Sequence, residues 1–337
     1  MKKHINIPIF IPHLACPNDC VFCNQKKIAA TEKAPTVNEV KEIIKKAVST
    51  LSLSEEKCEI AFFGGSFTGI DKKQMCGYLE AASSFREYIS GIRFSTRPDY
   101  ISREIMEILK NYPIKTIELG MQSMDDSVLS LCNRGHNNKA CKNAVALIKE
   151  YGYDVVLQMM TGLPGDTPLG AMNTAKVAAG LNPNGVRIYP CVVVKDTELA
   201  NMYNRGEYIP QSLEESVSLC TDLLLFFEKE NIPVIRMGLF SEQSFIENAI
   251  VAGPYHPAFR ELCENLIYKR LVEEVISAYK GVKTLEIQVA KGKISAAAGQ
   301  KNMNKQYFSK EYSINKIVFK ENSALNGREF IINPDFA

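Results

Sequence analysis

Three cysteines lie within eight residues near the start of the chain. Cys16, Cys20 and Cys23 follow a C-x3-C-x2-C spacing, and an apolar run over residues 5–11 leads into them. Thiolates at such short intervals can be brought to one face of a single metal centre, because the backbone turns between them. Three protein ligands on a four-ligand centre leave one position open. The stretch therefore predicts a metal site that can bind a further molecule.

Two kinds of metal centre are compatible with this spacing. Zinc requires a fourth ligand, for which His13 is the nearest residue. Structural zinc sites usually present two ligand pairs separated by a longer loop, and the sequence has no second C-x2-C or H-x3-H pair. Iron–sulfur clusters are held by cysteines at short spacings. The pattern favours a 4Fe-4S cluster with one open iron over zinc.

Short runs rich in Ile, Val and Phe alternate with longer helical patterns along most of the chain. This alternation predicts parallel βαβ units, and six or seven units fit a complete or partly open barrel. The ligand site of such a fold lies at the carboxyl ends of the strands. The predicted strands are residues 5–11, 59–63, 92–95, 116–119, 154–160, 185–189 and 234–237.

The polar and glycine-rich motifs of the chain follow these predicted strands. Tyr189 and Arg236 lie at the ends of the sixth and seventh runs and are expected at the mouth of the barrel. The motifs after the first five strands are Cys16–Cys23, Gly64-Gly65-Ser66-Phe67-Thr68, Thr96-Arg97-Pro98-Asp99, Gln122-Ser123 and Thr161-Gly162-Leu163-Pro164-Gly165.

The combination resembles the radical S-adenosylmethionine (SAM) superfamily, and within it the branch containing the catalytic subunit of Elongator. Oxygen-independent coproporphyrinogen oxidases are more distant. The resemblance covers about residues 5–240. Besides the cysteine loop, it rests on residues 63–68, 96–99, 118–123, 134–136, 159–165 and 188–190. It implies a partial (β/α)6 barrel with a small C-terminal α+β extension.

The resemblance also implies that the open iron binds SAM and that reductive cleavage yields a 5′-deoxyadenosyl radical. Glycines allow close backbone approach to the SAM ammonium group, and an arginine can pair with a carboxylate. The residues expected to bind SAM are Gly64, Gly65, Ser66, Thr96, Arg97 and Gln122.

Catalytic residues toward the substrate are less defined, and the candidates are Tyr189, Arg236 and His256. His256 lies in a loop over residues 253–259, where two prolines flank an aromatic–histidine pair. It is either a proton donor in a loop that caps the site or a packed loop residue. The motif Arg134-Gly135-His136 is either a substrate contact or a connection between helices.

We predict three regions: a barrel over residues 1–240, a capping loop and connecting helix over 241–279, and a basic extension over 280–337. The extension has ten Lys or Arg against five Asp or Glu, within a chain of net charge +2. Such a basic segment suggests a polyanion partner such as tRNA. The residues after the barrel are too few for the acetyltransferase domain of Elongator, so we expect an Elongator-like enzyme without that domain.

Seven further cysteines are scattered and are expected to be small buried apolar residues. The start of the sequence does not resemble a signal peptide, and no apolar run is long enough to span a bilayer. We therefore expect a cytoplasmic protein without membrane contact. Three functions remain open. They are radical chemistry on tRNA, radical chemistry on a small metabolite or tetrapyrrole, and non-catalytic binding of the cluster. Either enzyme requires an electron donor such as flavodoxin or ferredoxin.

Overall fold

The computed structural model describes residues 6–11, 20–23, 33–50, 58–239 and 249–334. Cys16 and His13 lie outside the described residues. The strands are β1 (Asn6–Ile11), β2 (Cys58–Gly64), β3 (Ile89–Thr96), β4 (Ile114–Gln122), β5 (Asp154–Thr161), β6 (Gly185–Pro190), β7 (Val193–Val194), β8 (Val234–Met237), β9 (Ile250–Ala252), β10 (Thr284–Val289), β11 (Lys316–Glu321) and β12 (Phe330–Pro334).

The helices of the described residues alternate with these strands. They are α1 (Val37–Thr50), α2 (Lys72–Ser83), α3 (Arg103–Leu109), α4 (Asp126–Leu131), α5 (Asn138–Glu150), α6 (Pro168–Gly180), α7 (Glu198–Asn204), α8 (Leu213–Lys229), α9 (Phe259–Ile276), α10 (Ile294–Ala298) and α11 (Met303–Glu311).

Seven parallel strands form the main sheet, in the order β1-β2-β3-β4-β5-β6-β8. Every strand predicted from an apolar run is present. The sheet runs from β1 to β8 without pairing of these two strands in the described part of the chain, so the barrel is partial. The structure confirms the predicted α/β partial barrel, with seven strands rather than six in its sheet. The parallel direction brings the carboxyl ends of all seven strands to one edge.

The outer face of this sheet is apolar and packs against helices. In β1 the buried residues Ile7, Ile9 and Ile11 alternate with exposed or partly exposed ones, as expected for a strand with one covered face. Helix α1 buries Val40 and Ile44 at helical spacing. This amphipathic pattern holds the helices outside and leaves the other face of the sheet for the site.

Charged side chains occupy the inner face of the sheet. Arg93 Nε donates to Glu59 at 2.6 Å, and its Nη1 donates to Glu118 at 2.9 Å. Arg187 Nη2 donates to the same Glu118 oxygen at 2.7 Å. Burial raises the pKa of Glu59, but the pairing with Lys115 and Arg93 outweighs it and holds the pKa below the ordinary value. These ion pairs keep the buried carboxylate of Glu59 charged.

The chain divides into two compact units. The first comprises residues 1–212 and 226–255, and the second comprises 213–225 and 256–337. Helix α8 therefore begins in the second unit and ends in the first. Of the predicted capping segment 241–279, residues from His256 onward fall in the second unit. No helix among the described residues is long and apolar enough to span a bilayer.

The second unit contains a three-stranded sheet in the order β11-β10-β12, in which β12 is antiparallel to β10. Its core includes Tyr268 and Val272 of α9, Ile287 of β10, and Phe308 of α11. The sequence pattern of residues 294–307 suggests one continuous helix, and this prediction is wrong in its middle. The structure has two helices, α10 and α11, separated by Gly299, Lys301 and Asn302, which all have positive φ.

The scattered cysteines behave mostly as the sequence predicts. Six of the seven are buried: Cys58, Cys132, Cys141, Cys191, Cys220 and Cys263. The remaining one, Cys76, is partly exposed on α2. The six buried cysteines therefore serve as small apolar packing groups.

Candidate functional site

The described end of the cysteine loop is tied to the frame of the first unit by its backbone. The amide of Cys23 donates to the carbonyl of Cys20 at 2.9 Å, which closes a turn between these cysteines. Val21 donates to the carbonyl of Cys132 and accepts from the amide of Leu199. Its side chain is buried in an apolar cluster with Cys132 and Leu199. Packing of Val21 therefore positions Cys20 and Cys23 on either side of it.

A buried arginine contacts the first of these thiols. Arg134 Nη1 donates to Cys20 Sγ at 3.2 Å, and Nη2 donates to the carbonyl of Gly120 at 2.6 Å. Nε is buried and has no hydrogen-bond partner within the described residues. The structure thus places a buried, hydrogen-bonded guanidinium directly against the cysteine turn. A role of Arg134 as a substrate contact stays a prediction.

Arg97 holds the backbone of Arg134 in place through a hydrogen bond. Its guanidinium makes two 2.9 Å hydrogen bonds with Asp99, and Nη2 donates to the backbone carbonyl of Arg134 at 2.5 Å. The Arg97 side chain is only 2% exposed. Contacts of this kind fix the position of the Arg134 backbone. Direct binding of SAM by Arg97 stays a prediction.

Gly120 lies where several of the predicted site residues meet. A Cβ at this position would be 3.0 Å from Arg134 Nη2 and 3.1 Å from Gln122 Nε2, with the Thr96 carbonyl 3.6 Å away. Gln122 has a positive φ of 66°, and its Oε1 is buried without a partner among the described residues. The end of β4 thus brings the side chains of Gln122 and Arg134 close to Gly120, and each side chain has one buried polar atom without a partner among the described residues.

The Gly64-Gly65 pair connects the ends of β1 and β2. Gly64 has φ 113°, and a Cβ there would collide with the carbonyl oxygen of Ile11. The amide of Gly65 donates to that same oxygen at 2.9 Å. The first glycine is therefore required by the close approach of two backbones. This approach fixes Ile11, the last described residue before the cysteine loop.

We expect Gly64→Ala to destabilise the first unit by about 2–4 kcal/mol, because alanine adds both a positive-φ strain and a backbone collision. The measurement is urea unfolding under anaerobic conditions. Gly180→Ala is the matched control, since nothing lies within 4 Å of a Cβ at Gly180. Equal stability of the two variants would contradict the prediction.

Two further predicted site residues are buried beside this turn. Thr96 Oγ1 shares a 2.7 Å hydrogen bond with Thr68 Oγ1, and Thr68 also donates to the carbonyl of Tyr100. Ser66 is buried at the start of the short 3-10 turn Phe67–Gly69. These hydroxyls tie the turns after β2 and β3 together at the carboxyl edge.

The predicted catalytic candidates are divided between the two units. Tyr189 lies on β6 and Arg236 on β8, and these strands are neighbours in the main sheet of the first unit. Arg187 of β6 is the register partner of Arg236. The Tyr189 hydroxyl accepts from Arg187 Nη1 at 3.4 Å. His256 belongs to the second unit, where its Nδ1 accepts from the amide of Ala258 at 3.1 Å. This contact is typical of a loop residue that stabilises the start of α9.

Two more thiols, Cys132 and Cys191, belong to the apolar cluster around Val21. Burial, with smaller contributions from Cys191 and Cys20, raises the pKa of Cys132 to about 12. Burial likewise raises the pKa of Cys191 to about 12. Cys132 and Cys191 therefore remain protonated near neutral pH and act as packing groups in this cluster.

His136, two residues after Arg134, is held in its neutral form. Burial, together with the positive charge of Arg134, lowers its pKa to about 4. The unfolded chain binds a proton at this residue from about pH 6.5. Because the folded chain does not bind this proton, the free energy of unfolding decreases as the pH falls below that value, by about 1–2 kcal/mol between pH 7 and pH 5.

We expect histidine hydrogen–deuterium exchange to show no titration of His136 between pH 5 and pH 8. In unfolding experiments His136→Gln should show a smaller loss of stability than the unaltered chain on going from pH 7 to pH 5. A titration midpoint near the ordinary value would contradict the burial that the structure shows.

These residues fit a cysteine-bound cluster with a small polar ligand beside it. Two cysteines are presented on a turn, a cation lies against one thiol, and an unused donor and acceptor face the same region. Within the described residues, no group of three His, Cys, Asp or Glu forms a separate metal site. Cys16, which the sequence predicts as the third ligand, lies outside the described residues.

Family models decide the class of the protein. Residues 10–177 match the model of the radical SAM superfamily, and residues 183–270 match the Radical_SAM C-terminal domain. An uncharacterized protein of Methanocaldococcus jannaschii is 32% identical over 66% of this chain and 72% of its own length. The chain belongs to the radical SAM superfamily. It is accordingly an enzyme of that superfamily, as the sequence predicts.

Several relatives of this radical SAM protein have more specific names. A tRNA uridine(34) acetyltransferase of Dehalococcoides mccartyi is 25% identical over 64% of this chain and 55% of its own length. Human Elongator complex protein 3 is 30% identical over 40% of this chain and 25% of its own length. The chain therefore spans about half or less of these named relatives.

Solved structures confirm the fold class. Archaeal Elp3 from Methanocaldococcus infernus superposes with a TM-score of 0.61 at 21% identity, over 79% of this chain and 63% of that one. Coproporphyrinogen III oxidase from Escherichia coli gives 0.50 at 18% identity, over 68% and 53%. The predicted resemblance to Elongator, with the oxidase more distant, is confirmed. The radical SAM fold places the cysteine loop and the β4 end at one edge of the partial barrel.

Proposed function

We propose that this radical SAM enzyme binds a 4Fe-4S cluster through Cys16, Cys20 and Cys23 and cleaves SAM reductively. When bound, the cluster supplies the electron that converts SAM to methionine and a 5′-deoxyadenosyl radical. The observation that carries the proposal is the buried guanidinium of Arg134 against Cys20 Sγ. A cation held beside a thiol, with an unused Nε, suits a site that holds thiolates and a carboxylate together.

The residues of the chain have separate tasks in this proposal. Arg134 orients the carboxylate of SAM through its unused Nε, and Gln122 accepts a hydrogen bond through its buried Oε1. Gly64, Gly65, Ser66 and Thr96 shape the backbone edge on which the cofactor lies. Arg97 fixes Arg134, and its own contact with SAM belongs to the proposal. Burial of the edge limits access of water to the radical.

Anaerobic reconstitution with iron and sulfide, followed by SAM and dithionite, tests this function. We expect an absorbance band typical of a 4Fe-4S cluster and formation of 5′-deoxyadenosine. A chain that binds the cluster fully but forms no 5′-deoxyadenosine under any condition would instead be a non-catalytic binder.

The substrate side of the proposal is tRNA. It is supported by the printed names of relatives such as the tRNA uridine(34) acetyltransferase of D. mccartyi and by a basic surface in the second unit. One face of α11 borders a groove of about 520 Å³, lined by Asn302, Lys305, Gln306, Ser309 and Lys310. Lysines along a polar helix face are suited to phosphate groups.

Binding of bulk tRNA, measured at several salt concentrations, tests this part. Lys305→Ala/Lys310→Ala should weaken binding and reduce the salt slope by roughly 2. Lys41→Ala/Lys45→Ala on α1 removes the same charge from another exposed helix and is the control. Formation of 5′-deoxyadenosine that is insensitive to tRNA would turn the proposal toward a small metabolite or tetrapyrrole.

Two further parts of the proposal concern the setting of the enzyme. Reduction of the cluster requires a low-potential electron donor, for which flavodoxin and ferredoxin are the proposed partners. The many free thiols are consistent with a reducing compartment, and we place the enzyme in the cytoplasm. The proposed electron donor is tested by mixing purified reduced flavodoxin with the reconstituted enzyme. Reduction of the cluster is measured by the electron paramagnetic resonance (EPR) signal of the cluster.

A further inference from the structure

A network of charged side chains lies on the inner face of the main sheet. Its ion pairs join Glu59 and Glu118 to the buried Arg93 and Arg187 and to Lys115, whose side chain is 43% exposed. Gln158 also donates to Glu118 at 2.9 Å. Both carboxylates are thus fully engaged by the protein.

Arg187 is a buried cation of this network with unused hydrogen-bond donor capacity. This side chain is 6% exposed, and its Nη2 is bound to Glu118. Nη1 makes only the long 3.4 Å contact with the Tyr189 hydroxyl, and Nε has no partner in the described part of the chain. Burial works to lower the pKa of Arg187, but Glu118 raises it overall, so the guanidinium stays charged. A buried cation with an unused donor is costly unless another group completes it.

Aromatic side chains lie next to this guanidinium on the same face. The Arg187 guanidinium lies over the Phe63 ring, 5.4 Å from the centroid. Phe10 is the register partner of Phe63 on the neighbouring strand, and the two ring centroids are 6.5 Å apart. Phe10 is 48% exposed although it lies on a strand of the main sheet. Phe63 thus lies between the buried cation and the exposed Phe10 ring, and such a pair of rings is a suitable surface for a flat ligand.

We propose that Arg187 and Tyr189 bind an oxyanion of the substrate, and that Phe10 and Phe63 cover the planar ring that carries it. Nε and Nη1 of Arg187 would donate to the oxyanion, which completes the network as a third negative charge. The inference rests on the proposed function in one respect: the substrate must approach the inner face of the partial barrel. The oxyanion is a phosphate if the ligand is a nucleotide and a carboxylate if it is a small aromatic acid.

Equilibrium dialysis with the reconstituted full chain tests this, with SAM present so that its own carboxylate cannot be the bound group. The probes are two pairs with the same ring: uridine 5′-monophosphate against uridine, and benzoate against benzamide. We expect the charged member of at least one pair to bind about 10- to 100-fold more tightly than the neutral member. Preference within the first pair identifies a nucleotide, and within the second a small acid.

Variants locate the binding. Arg187→Gln should abolish the preference for the charged probe, whereas Arg103→Gln, an exposed arginine paired with Glu150, should leave it unchanged. Because Arg187→Gln alters a buried network, Phe10→Leu and Tyr189→Phe serve as milder variants. Phe10→Leu should weaken both members of the preferred pair, and Tyr189→Phe only the charged member.

Equal binding of charged and neutral probes, or the same preference in Arg187→Gln and Arg103→Gln, would overturn the inference. Loss of charged-probe binding on adding SAM would assign the site to the SAM carboxylate and overturn it as well. Formation of 5′-deoxyadenosine is measured separately on the same preparations. An active enzyme without oxyanion binding refutes this inference alone, and oxyanion binding without SAM cleavage refutes the proposed function alone.

Discussion

Replacement of Cys20 by alanine should leave the enzyme without a complete cluster and without activity. Formation of 5′-deoxyadenosine is expected to fall at least ~1,000-fold, which corresponds to about 4 kcal/mol of activation free energy. The reason is that three cysteines are the whole protein ligand set in the proposed site, so two cannot hold the cluster in place. Iron and sulfide content, the absorbance band and the EPR signal after reduction measure the cluster.

Cys76→Ala is the control for this prediction, because Cys76 is a partly exposed thiol on α2. It should retain the iron content and activity of the unaltered enzyme. Cys23→Ala should match Cys20→Ala. A Cys20→Ala variant with a full 4Fe-4S signal would refute the ligand assignment.

Arg134→Gln is expected to have the second largest effect. It removes a buried cation that donates to Cys20 Sγ and to the carbonyl of Gly120. Reduction adds an electron to the cluster, so loss of a neighbouring positive charge should move the reduction potential to more negative values. Loss of one preorganised donor at the reacting centre should lower SAM cleavage by about 100-fold.

A redox titration followed by EPR measures the potential, and 5′-deoxyadenosine formation measures the activity. Arg134→Lys retains the charge without the forked geometry, so it should restore the potential more fully than the activity. Arg103→Gln changes the same charge at the surface and should alter neither. An unchanged potential in Arg134→Gln would show that the guanidinium does not act on the cluster.

Much of the fold of the first unit follows from the sequence, because each buried parallel strand is a short apolar run. The runs around Phe62, Phe94 and Leu157 are in the interior, as the alternation with helices indicates. Three features were not predicted. The short pair β7 and β9 is too small to give an apolar pattern, and α9 was predicted only as a connecting helix without bounds. The break between α10 and α11 depends on backbone angles at Lys301 and Asn302.

The cysteine ligands of the site stay a prediction from the sequence, and the contacts around them could not be predicted. Cys20 and Arg134 are 114 residues apart, and their contact arises only when α4 brings the residues after it beside the cysteine turn. The sequence drew attention to Arg134 but gave equal weight to a loop role. For Arg97 one contact is local in the sequence. Asp99 lies only two residues away, so a pairing of the two side chains is possible from the sequence alone. The structure shows this pairing and also a hydrogen bond from Arg97 to the backbone carbonyl of Arg134.

The anchoring of Val21 has a consequence for how the proposed cluster would be loaded. Hydrogen bonds from Gly65 to Ile11, and between Val21 and both Cys132 and Leu199, involve only protein groups. These contacts need no metal ion, unlike the fold of a zinc finger, which forms only around its ion. If the cluster is bound as proposed, its loading would be a late step on a folded acceptor that presents Cys20 and Cys23 on a short turn.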